Sequence, residues 1–332
     1  MPAIEQPNGR EVFVVMNADS GRGKDDGPTP DDVRAAFADR GAEIGMATLH
    51  SGDDLTQIVG DAASAGWKVV VAAGGDGTIC GVTEALIGTD TVLGVLPLGT
   101  FNFFARSLSI PEELEAAVDV ILTGTPEPAS LGEVNGRVFI NNASLGAYPA
   151  ILEERESVYR FWGRSRLAAY WSVLKSMLTL YRPLTMRIVI DGEPYRAKSP
   201  MVFVGVRAYQ LDRFEIEGAD DIRDGRFAIL LAPDSGRFAL IWTALRVAMR
   251  GLREGRDFEL LTGREVIVET RQDNRRVARD GEHERMAQPY RFRFLEDAVR
   301  VMAPGRAAIA APVDEPAPAT ATTIPAQGLP AE

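Results

Sequence analysis

The sequence predicts a chain in two halves of different class: an α/β half on a parallel sheet, then a mostly antiparallel β half. Three observations carry that expectation. Up to about residue 122, unbroken apolar runs alternate with capped, helix-patterned stretches, as strands buried on both faces require. Beyond residue 128, strand-like runs follow one another, punctuated by Asn135-Gly136, Asp191-Gly192 and Asp280-Gly281, dipeptides suited to tight hairpins. Three strands of the first half end in loops that combine Gly with Thr, Ser or Asn. Ligands bind at the carboxyl ends of strands in open parallel sheets, so three agreeing ends point to a site. The expected divisions are a nucleotide-binding α/β domain at 1–127, a β domain at 128–304 and an Ala/Pro/Thr-rich, disordered tail at 305–332.

The first strand is the run Val12-Phe13-Val14-Val15-Met16, leading to a polar loop that holds Asn17, Ser20, Gly21 and Lys24. Thr29 is placed to cap a helix with Pro30 at its first position, ending near Arg40. A strand over 43–49 and a helix over 51–65 follow, with Ser51 as cap and Asp53 and Asp54 in the first turn. Residues 67–73 form the strand that feeds Gly74-Gly75-Asp76-Gly77-Thr78, and the next helix is expected over 79–86. The strand 92–97 runs into Leu98-Gly99-Thr100-Phe101-Asn102. A helix over 111–122 and a Gly/Pro connector over 123–127 close this half. The second half reads as strands at 129–134, 137–143, 184–190, 195–198, 201–206, 226–231, 265–269, 276–279, 290–294 and 298–302.

A net charge of −11 excludes nucleic acid as a main partner, because phosphate backbones need a basic footprint. The single cysteine, Cys80, excludes an internal disulfide and a cysteine-based zinc site. Residues 1–11 carry no apolar leader, and no run reaches the roughly eighteen apolar residues of a membrane span. A reducing, cytoplasmic setting is expected.

The Gly74 to Thr78 stretch is the most informative. Glycines let the backbone approach a bulky anion, and free N–H groups of a helix start point at it. Asp76 would not face a phosphate directly and makes sense there with a divalent cation between the two; the alternative is a plain βα turn whose glycines serve tight geometry.

Three motifs together resemble the diacylglycerol kinase catalytic family, and most of all its bacterial lipid kinases. They are Gly74-Gly75-Asp76-Gly77-Thr78, Leu96-Pro97-Leu98-Gly99-Thr100-Phe101-Asn102, and Asp280-Gly281-Glu282. Gly132-Glu133-Val134-Asn135-Gly136 and Asn141-Asn142-Ala143-Ser144-Leu145-Gly146 fit the same pattern. The resemblance spans about residues 12–304. It implies ATP-dependent transfer of the γ-phosphoryl group to a lipid hydroxyl. It also implies a Rossmann-like domain and a β-sandwich domain with the site between them. ATP would then contact Thr48, Ala73, Gly74, Gly75, Asp76, Gly77, Thr78, Ile79, Gly99, Thr100 and Asn102, with Asn17, Ser20 and Gly21 on a neighbouring loop. Glu282 matches the family's proton acceptor, and Asp76 would sit beside a catalytic Mg²⁺. Asp221, Asp224 and Arg226 match a structural magnesium position. A lipid alcohol is a poor nucleophile, so a carboxylate placed to take its proton suits the chemistry.

The chain departs from the family at Phe103, where relatives usually carry Asp or His, at Ser130, where many carry Asp, and in Val204-Gly205-Val206-Arg207-Ala208-Tyr209, which lacks the Asn residues common in relatives. Those departures would also suit a nucleotide- or lipid-binding regulator that has lost catalysis. The first motif alone is shared with nicotinamide dinucleotide kinases, which leaves a dinucleotide acceptor as a second alternative. Residues 157–187 and 237–256 place Arg and Lys beside Trp, Tyr and Phe in an otherwise acidic chain. Such stretches suit peripheral docking on an anionic membrane. They equally suit amphipathic helices packed on the sheet. The sequence leaves the oligomeric state open.

Overall fold

The computed structural model describes residues 11–17, 27–50, 52–146, 183–213, 218–234 and 258–305. The first half alternates strands and helices: β1 (Val12–Asn17), α1 (Pro30–Ala38), β2 (Ile44–Leu49), α2 (Leu55–Ser64), β3 (Val69–Gly74), α3 (Asp76–Leu86), β4 (Val92–Pro97), α4 (Phe103–Ser107) and α5 (Leu114–Thr123). The strands are parallel in the order β2-β1-β3-β4. Their unbroken apolar runs are explained by burial on both faces: Val14, Val15, Val70, Val71 and Leu93 are fully covered. Helices contribute Phe37, Val59, Ile79, Val82 and Val118 to the same core. Each such side chain contributes roughly 1.5–3 kcal/mol when removed from water.

Helix starts follow local chemistry. Thr29 caps α1 as expected, and its hydroxyl and Asp32 form a reciprocal capping box with Pro30 at the first position. In α2 the cap is Asp54, whose carboxylate accepts from Gln57 N at 3.1 Å. Ser51, the expected cap, lies outside the described residues. Asp53 instead closes the preceding turn, taking the His50 N–H at 2.8 Å. Helix α3 starts three residues earlier than its apolar pattern suggests, so Asp76 is its first residue.

The second half contributes β5 (Thr125–Val134), β6 (Arg137–Phe139), β7 (Asn142–Gly146), β8 (Leu184–Ile190), β9 (Glu193–Ser199), β10 (Met201–Gly205), α6 (Ala208–Arg213), α7 (Ala219–Arg223), β11 (Phe227–Leu231), β12 (Glu259–Gly263), β13 (Glu265–Thr270), β14 (Arg275–Arg279), β15 (Glu282–Met286) and β16 (Tyr290–Ala303). A six-stranded antiparallel sheet runs β12-β11-β10-β7-β14-β15. It packs on β8, β13 and the start of β16 around Phe139, Phe227, Tyr290 and Phe292, giving a β-sandwich. The Asn135-Gly136, Asp191-Gly192 and Asp280-Gly281 turns all have positive φ at both residues, as two-residue hairpins of right-handed twist require.

Two features differ from the expected arrangement. Residues 125–127 are not a connector but the first part of β5, which lies antiparallel to β16 from Thr125 onward. Pro126 and Pro128 are tolerated because β6 pairs with β5 only at Gly132 to Val134, leaving that end of β5 without a ladder on its other side. The expected strands at 290–294 and 298–302 are one strand, β16, with a register shift between Leu295 and Val299. Ser130 Oγ accepts the Asp297 N–H at 3.2 Å beside that irregularity. Strand β16 pairs with β13 on the sandwich side and with β4 through Val301 and Leu93. The parallel sheet and one sandwich face are therefore a single ten-stranded sheet.

Among the described residues no helix is long and apolar enough to cross a membrane. Ser20 and Gly21, residues 157–182 and 237–256 of the basic aromatic stretches, and residues 306–332 fall outside the described residues. Arg187, at the end of the first such stretch, lies on β8 and pairs with Glu269 at 3.2 Å.

Candidate active site

The carboxyl ends of β1, β3 and β4 share one edge because the three strands are parallel neighbours. Asn17 Nδ2, from β1, donates to Thr78 Oγ1 on α3 at 3.3 Å. Leu98 N donates to Gly74 O at 3.0 Å, tying the β4 turn to the β3 turn. The two turns then touch backbone to backbone. A Cβ on Gly99 would lie 2.7 Å from Gly75 Cα and 2.8 Å from Asn102 Oδ1, so only glycine fits there. Thr100 is exposed between these residues, and Thr48 is half-buried on β2 beside Met16 of β1. Ala73 and Ile79 are fully buried, so neither presents surface to a ligand in this conformation.

Asn102 is buried in the left-handed conformation, and its side chain builds the turn. Its Oδ1 accepts from Gly99 N at 3.0 Å, and its Nδ2 donates to the Pro97 and Gly99 carbonyls at 3.1 Å each. Phe103 opens α4, a short helix with no apolar period to announce it, and its ring stacks on Phe101 at a centroid distance of 5.6 Å. The next residue matters more: Phe104 N donates to Asp76 Oδ1 at 3.3 Å. Asn141 Nδ2 reaches the same oxygen from the sandwich side at 3.2 Å.

Across from the glycine turn stands Glu282. The Asp280-Gly281 hairpin places it at the start of β15, exposed, with its carboxylate toward α3: Oε1 lies 4.0 Å from where a Cβ on Gly77 would be. Two residues back, the Asp280 carboxylate takes the N–H groups of Ile140, Asn141 and Asn142 at 2.7, 2.8 and 3.1 Å. Burial pushes its pKa from 3.8 up to about 6, against the pull of those three donors. Arg207 is buried as well; its Nε donates to Ile140 O at 2.6 Å and its guanidinium lies 4.6 Å above the Phe104 ring. Loss of water lowers its pKa to about 10. Cys80 is buried behind this cluster, and burial pushes its thiol well up.

The raised Asp280 pKa has a stability consequence. Its folded-state value exceeds its unfolded value, so the ionised form is the disfavoured one in the fold. Its contribution is fully present below about pH 4 and falls as pH rises through about 6, by on the order of 3 kcal/mol. Urea unfolding at pH 5 and pH 7.5 is expected to show a loss in the parent that Asp280→Asn lacks. Equal slopes in the two proteins would rule this out.

The expected metal residues Asp221, Asp224 and Arg226 lie on and just after α7. That turn is braced by side chains: Asp221 Oδ1 accepts from Thr262 Oγ1 at 3.3 Å and lies 3.9 Å from Arg226 Nη1. Arg264 Nη2 donates to Asp224 O at 2.9 Å. Among the described residues no group of three His, Cys, Asp or Glu side chains is placed to hold a metal ion. The guanidinium groups of Arg226 and Arg264 lie at this turn beside the expected ligands, of which Asp221 and Arg226 would contribute backbone carbonyls. At the glycine turn the fit is better. Asp76 offers one carboxylate beside the glycine turn, and Mg²⁺ commonly binds through one carboxylate, phosphate oxygens and water.

Asn141, Arg207 and the Phe104 amide were not among the expected site residues. The Asn141-Asn142 pair after a strand was the one sequence signal available. Arg207 follows an apolar strand, and nothing in sequence separates it from a surface arginine.

A glycine turn at parallel strand ends thus stands opposite an exposed carboxylate from the antiparallel sheet. The chain belongs to the diacylglycerol kinase family. The model of the diacylglycerol kinase catalytic domain matches residues 11–134, and that of the YegS C-terminal NAD kinase beta sandwich-like domain matches 148–303. The chain is 31% identical to a Bacillus subtilis protein named diacylglycerol kinase over 223 residues, 66% of this chain and 72% of that one. A Pseudomonas aeruginosa protein named "Probable lipid kinase YegS-like" is 43% identical over 121 residues, 35% of this chain and 40% of its own length. The crystal structure of a diacylglycerol kinase from Bacillus anthracis str. Sterne shares the fold, with a TM-score of 0.66 and 21% identity over 89% of this chain and 97% of that one.

Proposed function

We propose that the chain is an ATP-dependent lipid kinase that moves the γ-phosphoryl group to a hydroxyl of diacylglycerol or a related lipid. The observation that carries this reading is the Glu282 carboxylate facing Gly77 on the phosphate turn. In this reading the Gly74 to Thr78 backbone and the Gly99-Thr100 turn hold the ATP phosphates, as free N–H groups at a helix start favour anions. Asn17 braces Thr78, and Asn102 keeps the second turn in shape. Glu282 takes the proton of the lipid hydroxyl as the oxygen attacks phosphorus. Mg²⁺, when bound beside Asp76, neutralises charge on the phosphates during transfer.

The acceptor's apolar tail stays in or near a membrane in this reading. The enzyme then works from the cytoplasm and docks peripherally, using basic and aromatic residues of 157–187 and 237–256. Relatives named diacylglycerol kinase make a glycerolipid the first acceptor to try.

The test is thin-layer separation of lipids extracted after incubation with γ-labelled ATP. A labelled lipid, absent with Glu282→Gln, is the expected result. Label on nicotinamide dinucleotide instead would reassign the acceptor. ATP binding by calorimetry with no labelled product would turn the protein into a regulator.

A further inference from the structure

The kinase reading uses Asp76 and Glu282 but leaves unexplained what surrounds them in the interior. Asp76 sits on the phosphate turn, and Glu282 sits on a hairpin of the other sheet. One short backbone segment, Ile140 to Asn142, stands between these two parts of the fold. It is gripped from both sides. The Asp280 carboxylate takes all three of its N–H groups, while Arg207 Nε donates to the Ile140 carbonyl. The gripped segment then presents Asn141 Nδ2 to Asp76 Oδ1 at 3.2 Å.

Arg207 also acts on the other donor to Asp76. Its guanidinium covers the Phe104 ring at 4.6 Å, and the Phe104 N–H donates to the same Asp76 oxygen. Both hydrogen bonds to Asp76 thus come from residues that Arg207 touches or braces. The arrangement carries a thermodynamic cost. Arg207 Nη2 and Asn141 Oδ1 are buried with no hydrogen-bond partner among the described residues. A buried unsatisfied polar group normally costs about 1–3 kcal/mol. Arg207 thus holds its place with part of its hydrogen-bonding capacity unused among the described residues. Its geometry makes sense if placement of Asp76 is what it provides.

We propose that Arg207 and Asp280 are positioning residues. By clamping Ile140 to Asn142 they hold Asn141 on Asp76 and fix that carboxylate relative to the Asp280-Gly281-Glu282 hairpin. The inference rests on the kinase reading for its effect on turnover, and on geometry alone for the clamp.

The experiment pairs kinetics with structure for Asn141→Ala, Arg207→Met and the double variant, with melting temperatures recorded. Asn141→Ala is expected to lower kcat about tenfold with the KM for ATP little changed, the loss of one hydrogen bond to a charged group. Arg207→Met is expected to lower kcat by a similar factor, with a lower melting temperature because the Ile140 carbonyl loses its donor, and the double variant to lose no more kcat than either alone. Parental kcat in Arg207→Met, or losses that multiply, would overturn the clamp. Should Arg207→Met not fold, Arg207→Lys keeps the charge but shortens the reach to the Ile140 carbonyl, and the same non-additivity with Asn141→Ala is expected. A crystal structure of the folded arginine variant gives the second readout. The Asn141–Asp76 contact is expected to open, and its persistence would refute the proposal. If the parent phosphorylates no lipid, the kinase reading fails, while that crystal structure still decides the clamp.

Discussion

Glu282→Gln is expected to lower the proposed lipid phosphorylation on the order of 10²- to 10⁴-fold, the usual contribution of a positioned general base. The substitution keeps the size of the side chain and removes its ability to take a proton. Glu282 is exposed at the first position of β15, so the fold does not lean on it and the melting temperature should stay near parental. The neighbouring carboxylates do not substitute for it. Asp280 is committed to three backbone amides, and Asp76 is held by Phe104 and Asn141. Steady-state assays with saturating ATP and a dispersed glycerolipid make the comparison. A variant retaining more than a tenth of parental turnover would remove Glu282 from the role.

Gly99→Ala is the second large effect. Its Cβ would meet Gly75 Cα at 2.7 Å and Asn102 Oδ1 at 2.8 Å, and the first of these is backbone that cannot swing aside. The β3 and β4 turns must separate, and Asn102 must give up part of its hold on Pro97 and Gly99. Overpacking of this kind costs roughly 1–3 kcal/mol. The same movement should raise the KM for ATP on the order of tenfold, because both proposed phosphate-holding turns shift. Gly75→Ala supplies the internal comparison for stability: its Cβ would lie 3.5 Å from Gly99 Cα, an ordinary contact. Thermal melts should therefore separate the two alanines. Equal melting temperatures would show that the turns are not pressed together.

The parts of this fold that could be read from sequence are those whose physics is local. Buried parallel strands show as apolar runs, Thr29 and Pro30 announce a helix, and Asn-Gly or Asp-Gly dictates a hairpin. The glycine turn between β3 and α3 was legible for the same reason, because its glycines, its carboxylate and its helix start are consecutive. What escaped depends on partners far along the chain. Strand β15 reads Glu-His-Glu-Arg-Met, with no apolar alternation, and is a strand because β14 pairs with it. Strand β16 looked like two pieces because Glu296 and Asp297 interrupt its apolar pattern at the register shift. The Arg207 and Asp280 grip on Ile140 to Asn142 joins residues from three separate stretches, so no window of sequence contains it. Even Ser130, notable as a departure from relatives, has a use visible only in three dimensions, against the Asp297 backbone.

Strand β16 also sets an order of assembly. Residues 290–303 are synthesised after nearly all of both cores, yet they cover the β4 edge of the parallel sheet and complete a sandwich face. While a ribosome is still making residues 135–289, the β1-β3-β4 layer has an open apolar border, the kind of edge that pairs with other chains. The parallel half therefore gains its last edge partner from the far end of the chain, even though its own helices and strands are contiguous in sequence. Afterwards the two halves share one continuous ladder rather than a flexible joint.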